Sequence, residues 1–311
     1  MNRPGGTKRP AAVGGLRSLH IGVVDFDLAL DFFTRVWGLS TVTKGNGLAY
    51  LRASGPDHHV VALHNRTRTE ALRIDLRAPS PADIDAIHAR LASLGADGLT
   101  SPARVREQGG GYGFSVLDPD GRLLLVVAGD EEHADVVETI DKPRKLSHVV
   151  LNTPDPSTIE KFYINGLGFR LVDRTSRMAF INCNADHHSI AIVPSKESTL
   201  NHVAFEMPSF DAVMRGIGRL RDAGFEIGWG VGRHGPGSNI FAYFAGIERL
   251  PLAYTAEVQQ IDESYRAGSP EDWKPVPGRM DLWGATSPPS PAMIEAEQSI
   301  GFSSESLRAS V

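Results

Sequence analysis

The chain has 311 residues, 41% hydrophobic and 22% charged, with a formal net charge of -5. That length suits two domains with separate cores, and the composition is that of a soluble globular protein rather than a disordered or fibrous one. No half carries the dense Lys/Arg stripe that phosphate binding needs, so no nucleic-acid partner is expected, and no apolar run approaches a membrane span.

The start, "MNRPGGTKRPAAVGG", is basic and rich in Gly and Pro, with no following apolar segment to act as a signal. Residues 1–14 are expected to be disordered and the protein cytoplasmic. Next, "SLHIGVVDFDLALDFFTRVWGL" from Ser18 reads as a strand running into a helix. "DHHVVAL" from Asp57 leads into another strand, and "LRIDLRAP" is a third. Ser80 and Pro81 supply a cap and a first helical residue for "ADIDAIHARLASLG", which ends on Gly95. The "GGGYG" run at 109–113 lacks the Lys-Ser/Thr of a phosphate loop and reads as a loop entering a strand. Asp118-Pro119-Asp120-Gly121 is a turn between the two halves of "SVLDPDGRLLLVV".

The same order then recurs. "LSHVVLNTPDPSTIEKFYINGLGF" from Leu146 matches the first block, setting His148 opposite His20. "DHHSIAI" begins at Asp186, 129 residues after its counterpart at Asp57. "NHVAFEMPSFDAVMRGIGRLRDAGF" sets His202 against Arg73, and "YFAGIERLPLAYT" sets Ala253 against Leu125, without a clear turn at 246–249. A unit of that length is a duplicated domain rather than a solenoid repeat. The expected fold is α+β: four βαβββ modules forming two tandem domains, 15–130 and 145–262, each with a curved mixed-sheet cup. A Pro-rich, irregular tail at 263–311 packs on the body through Trp273 and Trp283.

Strand residues alternate between faces, so His148 in "LSHVVLN" and His202 in "LNHVAFEM" can both point into one cup. Two neutral imidazoles suit Fe(II), Mn(II) or Zn(II), and a third, usually carboxylate, ligand completes a facial triad. In the first copy Arg73 and Leu125 replace two such positions, so no metal site is expected there and His20 reads as structural. His64, His88 and His133 read as surface residues, and Cys183, the lone cysteine, as a small core residue.

Over roughly residues 16–262, these motifs resemble the vicinal oxygen chelate superfamily, and most nearly its two-domain type I extradiol catechol dioxygenases. The resemblance implies that His148 and His202 bind the metal. It makes His188 the acid/base, with His187 an open alternative in the "DHH" tripeptide, His234 the catechol-binding histidine and Tyr243 a donor to substrate oxygen. The implied activity is extradiol cleavage of a catechol-type aromatic with O2 and Fe(II), Mn(II) being the alternative, in a homo-oligomer. The family's third ligand is a glutamate ten residues after that tyrosine; here the position is Ala253. Glu257 is about 13 Å away at roughly 3.3 Å per residue, and Glu248 and Glu206 meet the same difficulty. A metal-free aromatic-binding protein, or a proton-transfer enzyme using His188, His234 and Tyr243 alone, is therefore the second reading.

Overall fold

The computed structural model describes residues 10–136 and 139–303. Strands β1 (Gly15–Val23), β2 (Ser40–Gly45), β3 (Leu48–Arg52), β4 (Val61–Asn65), β5 (Glu70–Arg77), β6 (Ala103–Arg104), β7 (Tyr112–Leu117) and β8 (Leu123–Ala128) form one sheet, in the order β2-β3-β4-β1-β5-β8-β7-β6. Strands β9 (Lys145–Thr153), β10 (Arg170–Arg174), β11 (Ala179–Asn182), β12 (Ile190–Pro194), β13 (Thr199–Glu206), β14 (Trp229–Arg233), β15 (Ile240–Ala245) and β16 (Pro251–Ala256) repeat that order as β10-β11-β12-β9-β13-β16-β15-β14. Helices α1 (Phe26–Asp31), α2 (Pro81–Ser93), α3 (Pro156–Lys161) and α4 (Phe210–Asp222) complete the four modules.

The local signals explain the elements. Ser80 Oγ accepts from Asp83 N at the start of α2, where Pro81 loses no hydrogen bond. Gly121 N donates to Asp118 O (2.8 Å), with Gly121 at φ +81°, the left-handed value that the turn requires. The corresponding segment at 246–249 forms a single 3-10 turn with Glu248 and Arg249 at positive φ.

The helix-facing sides of both sheets share one continuous core. At the junction Trp37 stacks on Tyr254 with ring centres 4.0 Å apart, and Tyr254 Oη donates to the Trp37 carbonyl at 2.6 Å. Glu248 reaches across the same junction, accepting from Val24 N (2.9 Å), Asp25 N (2.7 Å) and Thr69 Oγ1. It therefore anchors the two halves instead of facing the cup. Glu248→Ala is expected to lower the unfolding free energy by about 1–2 kcal/mol, the scale for charge-accepted hydrogen bonds at a partly exposed site, measured by urea denaturation.

Two expectations about the chain ends need correction. Residues 11–13, expected to be disordered, are packed: Val13 is buried and its N–H donates to Leu167 O, while Arg90 donates to Ala11 O. Residues 1–9 lie outside the described residues. The tail is not wholly irregular either. Ser290 caps α5 (Pro291–Ser299), and β17 (Ile300–Gly301) pairs with β13 at Thr199 and Leu200. A Ser-Pro start followed by good helix formers makes this helix, and buried Met293 and Ala296 dock it. No helix among the described residues is long and apolar enough to cross a membrane.

Candidate metal centre

β9 and β13 are the adjacent central strands of the second sheet, with Ala204 opposite His148 and His202 opposite Val150. One face of this sheet carries Val149, Leu151, Val203 and Phe205 into the main core. Alternation therefore turns His148 and His202 to the other face, inside the cup. Their ring centres lie 5.6 Å apart, and His188 approaches His148 at 4.3 Å.

The hydrogen bonds orient each ring. Asn201 donates to Asn152 Oδ1 (3.0 Å), so its own oxygen accepts from His202 Nδ1 (2.7 Å). His202 Nε2 is left unprotonated, buried and without a partner. His148 Nδ1 lies 3.1 Å from Ser147 Oγ. Burial first, and neighbouring histidines second, hold His148, His188 and His202 far below the ordinary imidazole pKa. Each therefore keeps a lone pair that can ligate or take a proton.

The choice between His187 and His188 also becomes geometric. His187 Nε2 donates to the buried carboxylate of Asp173 (2.7 Å), which also accepts from Tyr265 Oη (3.0 Å). His187 Nδ1 is then an acceptor for His188 Nδ1 (3.1 Å), leaving His188 Nε2 basic beside His148. At the other wall His234 stacks on Phe241 at 4.0 Å, and burial lowers its pKa to about 4. Burial raises the Tyr243 phenol, so Tyr243 Oη donates to His234 Nε2 (3.0 Å). Tyr243 in turn lies edge-on to His202 with ring centres 4.8 Å apart.

Ala253 sits where the sequence places it, laterally aligned with Ala204 and Tyr243. No strand carboxylate replaces its missing side chain. Glu257 pairs with Arg233, Glu206 with Lys145 (3.1 Å), and Glu248 is the interdomain anchor. Met293 from α5 fills the space instead, clustering with Ala204, Phe241, Tyr243 and Ala253. The donor set thus fits the two-imidazole half of a divalent metal site, with an orphaned buried nitrogen aimed inward.

The first cup holds the one group among the described residues whose three ligand atoms lie within 4.8 Å of one another: His20, His59 and Asp75. A guanidinium takes the cationic role there. Arg73 Nε donates to Asp75 Oδ1 (2.6 Å), and Nη2 donates to Asp75 Oδ2 (3.1 Å), Glu107 Oε2 (2.6 Å) and His20 Nε2 (2.9 Å). Arg73 can only donate, so His20 accepts at Nε2 and donates from Nδ1 to His64 (3.0 Å). This explains His20 as structural and corrects the surface reading of its partner His64. His133 is corrected likewise: its ring stacks on His58 at 5.6 Å, and its Nε2 lies 3.1 Å from His58 O. His88 is half-buried edge-on to Phe114.

Sequence reading missed Trp229, whose buried indole N–H has no partner and whose ring stacks near Tyr243 at 5.1 Å, and it missed Met293 and Glu297 on α5. Trp229 and His234 are five positions apart, an odd spacing that strand alternation assigns to opposite faces, and the tail carries no periodicity, so no local signal marked these residues.

Residues 15–126 and 145–248 match the sequence family described as the Glyoxalase/Bleomycin resistance protein/Dioxygenase superfamily. Metapyrocatechase 2 of Cupriavidus necator is 32% identical over 58% of this chain and 62% of its own length. An iron-dependent extradiol dioxygenase of Rhodococcus jostii is 28% identical over 48% of this chain and 58% of its own. The chain thus spans about three fifths of the length of these curated relatives. The crystal structure of a Mn(II)-bound glyoxalase from Novosphingobium aromaticivorans superposes with a TM-score of 0.85 and 36% identity, covering 91% of this chain and 94% of that one. With both halves matched and the tandem cups in place, the chain belongs to the Glyoxalase/Bleomycin resistance protein/Dioxygenase superfamily, among relatives that include extradiol dioxygenases.

Proposed function

We propose that the second cup is the reactive centre of an extradiol-type dioxygenase acting on a catechol-class aromatic with O2, and that it uses Fe(II) or Mn(II). The observation that carries this reading is His202 Nε2: buried, partnerless, with its lone pair set by Asn201, in a ring whose centre lies 5.6 Å from that of His148. His148 and His202 would hold the metal, which when bound supplies Lewis acidity and a common site for catecholate and dioxygen.

The protein's own groups divide the remaining work. His188 exchanges a proton at Nε2, and the chain from Asp173 through His187 keeps that nitrogen in its basic tautomer. Tyr243 and His234 form one donor-acceptor pair that orients a ring hydroxyl. Phe241 and Trp229 make the aromatic wall that excludes water from it. The iron-dependent and Mn(II)-bound relatives support either metal.

His202→Ala is expected to weaken Mn(II) or Fe(II) binding by more than about tenfold, since removal of even a supporting partner costs that much. Ring-opening activity should disappear while the fold, followed by circular dichroism, persists. Wild-type protein reconstituted anaerobically with Fe(II) that shows neither oxygen uptake nor a yellow product over a catechol panel would sink the dioxygenase reading. A chain that also holds no metal would leave the aromatic-binding alternative.

A further inference from the structure

The vacated carboxylate position has an unexpected neighbour. Met293, which fills the space beside Ala253, is followed one helical turn later on the same face of α5 by Glu297. The helix is tied to the ligand histidines through three hydrogen bonds. Asn152 Nδ2 donates to the Glu297 carbonyl (2.7 Å), Asn201 Nδ2 donates to Asn152 Oδ1 (3.0 Å), and His202 Nδ1 donates to Asn201 Oδ1 (2.7 Å). The pairing of β17 with Thr199 and Leu200 fixes the far end of α5 two residues from His202.

The Glu297 carboxylate has no hydrogen-bond or ion-pair partner among the described residues, unlike Glu206, Glu248, Glu257 and Glu295, each of which is engaged. Burial raises its pKa to about 7, and its charge adds to burial in raising the Tyr243 phenol. The ligand atoms of His148, His202 and Glu297 are not all within 4.8 Å of one another here. Glu297 is half-buried, and no partner among the described residues holds its carboxylate in place.

Resting on the metal-centre reading above, we propose that Glu297 is the third protein ligand, an anionic donor delivered by the C-terminal helix in place of the family's strand glutamate. Two neutral imidazoles and one carboxylate would restore the ligand chemistry of a facial triad from a different element. The metal would then also cross-link α5 to the sheet.

The test is Mn(II) binding to the full chain, read from the EPR signal of the free ion, together with thermal unfolding with and without Mn(II). Glu297→Gln should raise the Mn(II) dissociation constant by more than about tenfold, with no loss of stability in metal-free buffer. Glu295→Gln, whose parent residue pairs with Arg249 on the surface, should leave binding unchanged. Placing a carboxylate back on the strand, as Ala253→Glu with Met293→Ala, should restore binding in the Glu297→Gln protein. Wild-type affinity in Glu297→Gln overturns the proposal but leaves His148 and His202 as ligands. A loss that the strand carboxylate does not restore assigns the effect to helix docking and overturns it too. Absence of Mn(II) binding to the wild type removes both this assignment and the metal centre itself.

Discussion

Replacing Arg73 by alanine is expected to lower the unfolding free energy by about 3–5 kcal/mol, the cost of leaving a buried charge without its partner. The Arg73 side chain has 0% exposure and donates to Asp75, Glu107 and His20. Asp75 is equally inaccessible, and although burial alone would raise its carboxyl, Arg73 holds it well below the usual range. A group depressed in this way contributes stability above its unfolded pKa, and that contribution is lost as pH falls through the folded one. In Arg73→Ala the desolvated carboxylate loses its main counter-charge and its pKa climbs. The penalty should therefore be largest near neutrality and shrink as acid protonates Asp75. Urea unfolding of both proteins at pH 7 and pH 4.5 measures it. A difference below about 1 kcal/mol at pH 7 would show that Arg17, which also pairs with Asp75 (3.3 Å), compensates. Arg73→Ala should leave any metal affinity of the second cup unchanged, because Arg73, Asp75, His20 and Glu107 all belong to the first half of the chain.

Ala253→Glu is expected to act in opposite directions on stability and on metal binding. Ala253 is 1% exposed and clusters with Ala204, Phe241, Tyr243 and Met293, so four further heavy atoms do not fit without displacing Met293. Overpacking of this kind costs about 1–3 kcal/mol, and an unpaired buried carboxylate adds to it. Metal-free Ala253→Glu should melt below the wild type. Adding Met293→Ala opens the space, and the double variant should bind Mn(II) more tightly, most visibly when Glu297 is also changed to Gln. If Mn(II) is held at a hundred times the new dissociation constant, binding should raise the unfolding free energy by about 2.7 kcal/mol. Thermal unfolding with and without Mn(II) reads this directly. No Mn(II)-dependent shift in the double variant would mean that His148 and His202 do not present their nitrogens to a common point.

Period-two patterning determined much of this protein locally. "LSHVVLN" and "LNHVAFEM" declare strands whose alternate residues face a core, so His148 and His202 on the opposite face follow without any tertiary information. Duplication at a 129-residue spacing paired those strands with β1 and β5 and singled out Ala253 and Leu125. The turn at Asp118 and the capped helix after Ser80 were equally legible, because caps and turns are written in adjacent residues.

Other features depended on groups far apart in the chain. "DHH" precedes β12, where no strand alternation applies, so only Asp173 and Tyr265 could decide that His187 is held away and His188 faces His148. In sequence Glu248 was a nearby carboxylate beside Ala253; the structure shows it accepting instead from Val24, Asp25 and Thr69 of the first half. Arg73 announced the loss of a ligand, but not that its guanidinium would take the cation's place. Above all, the Pro-rich tail has no periodicity long enough to reveal where it docks. The tertiary structure alone lays α5 over the second cup and sets Met293 against Ala253 with Glu297 a turn beyond, because shape and apolar complementarity between distant segments leave no local mark in the sequence.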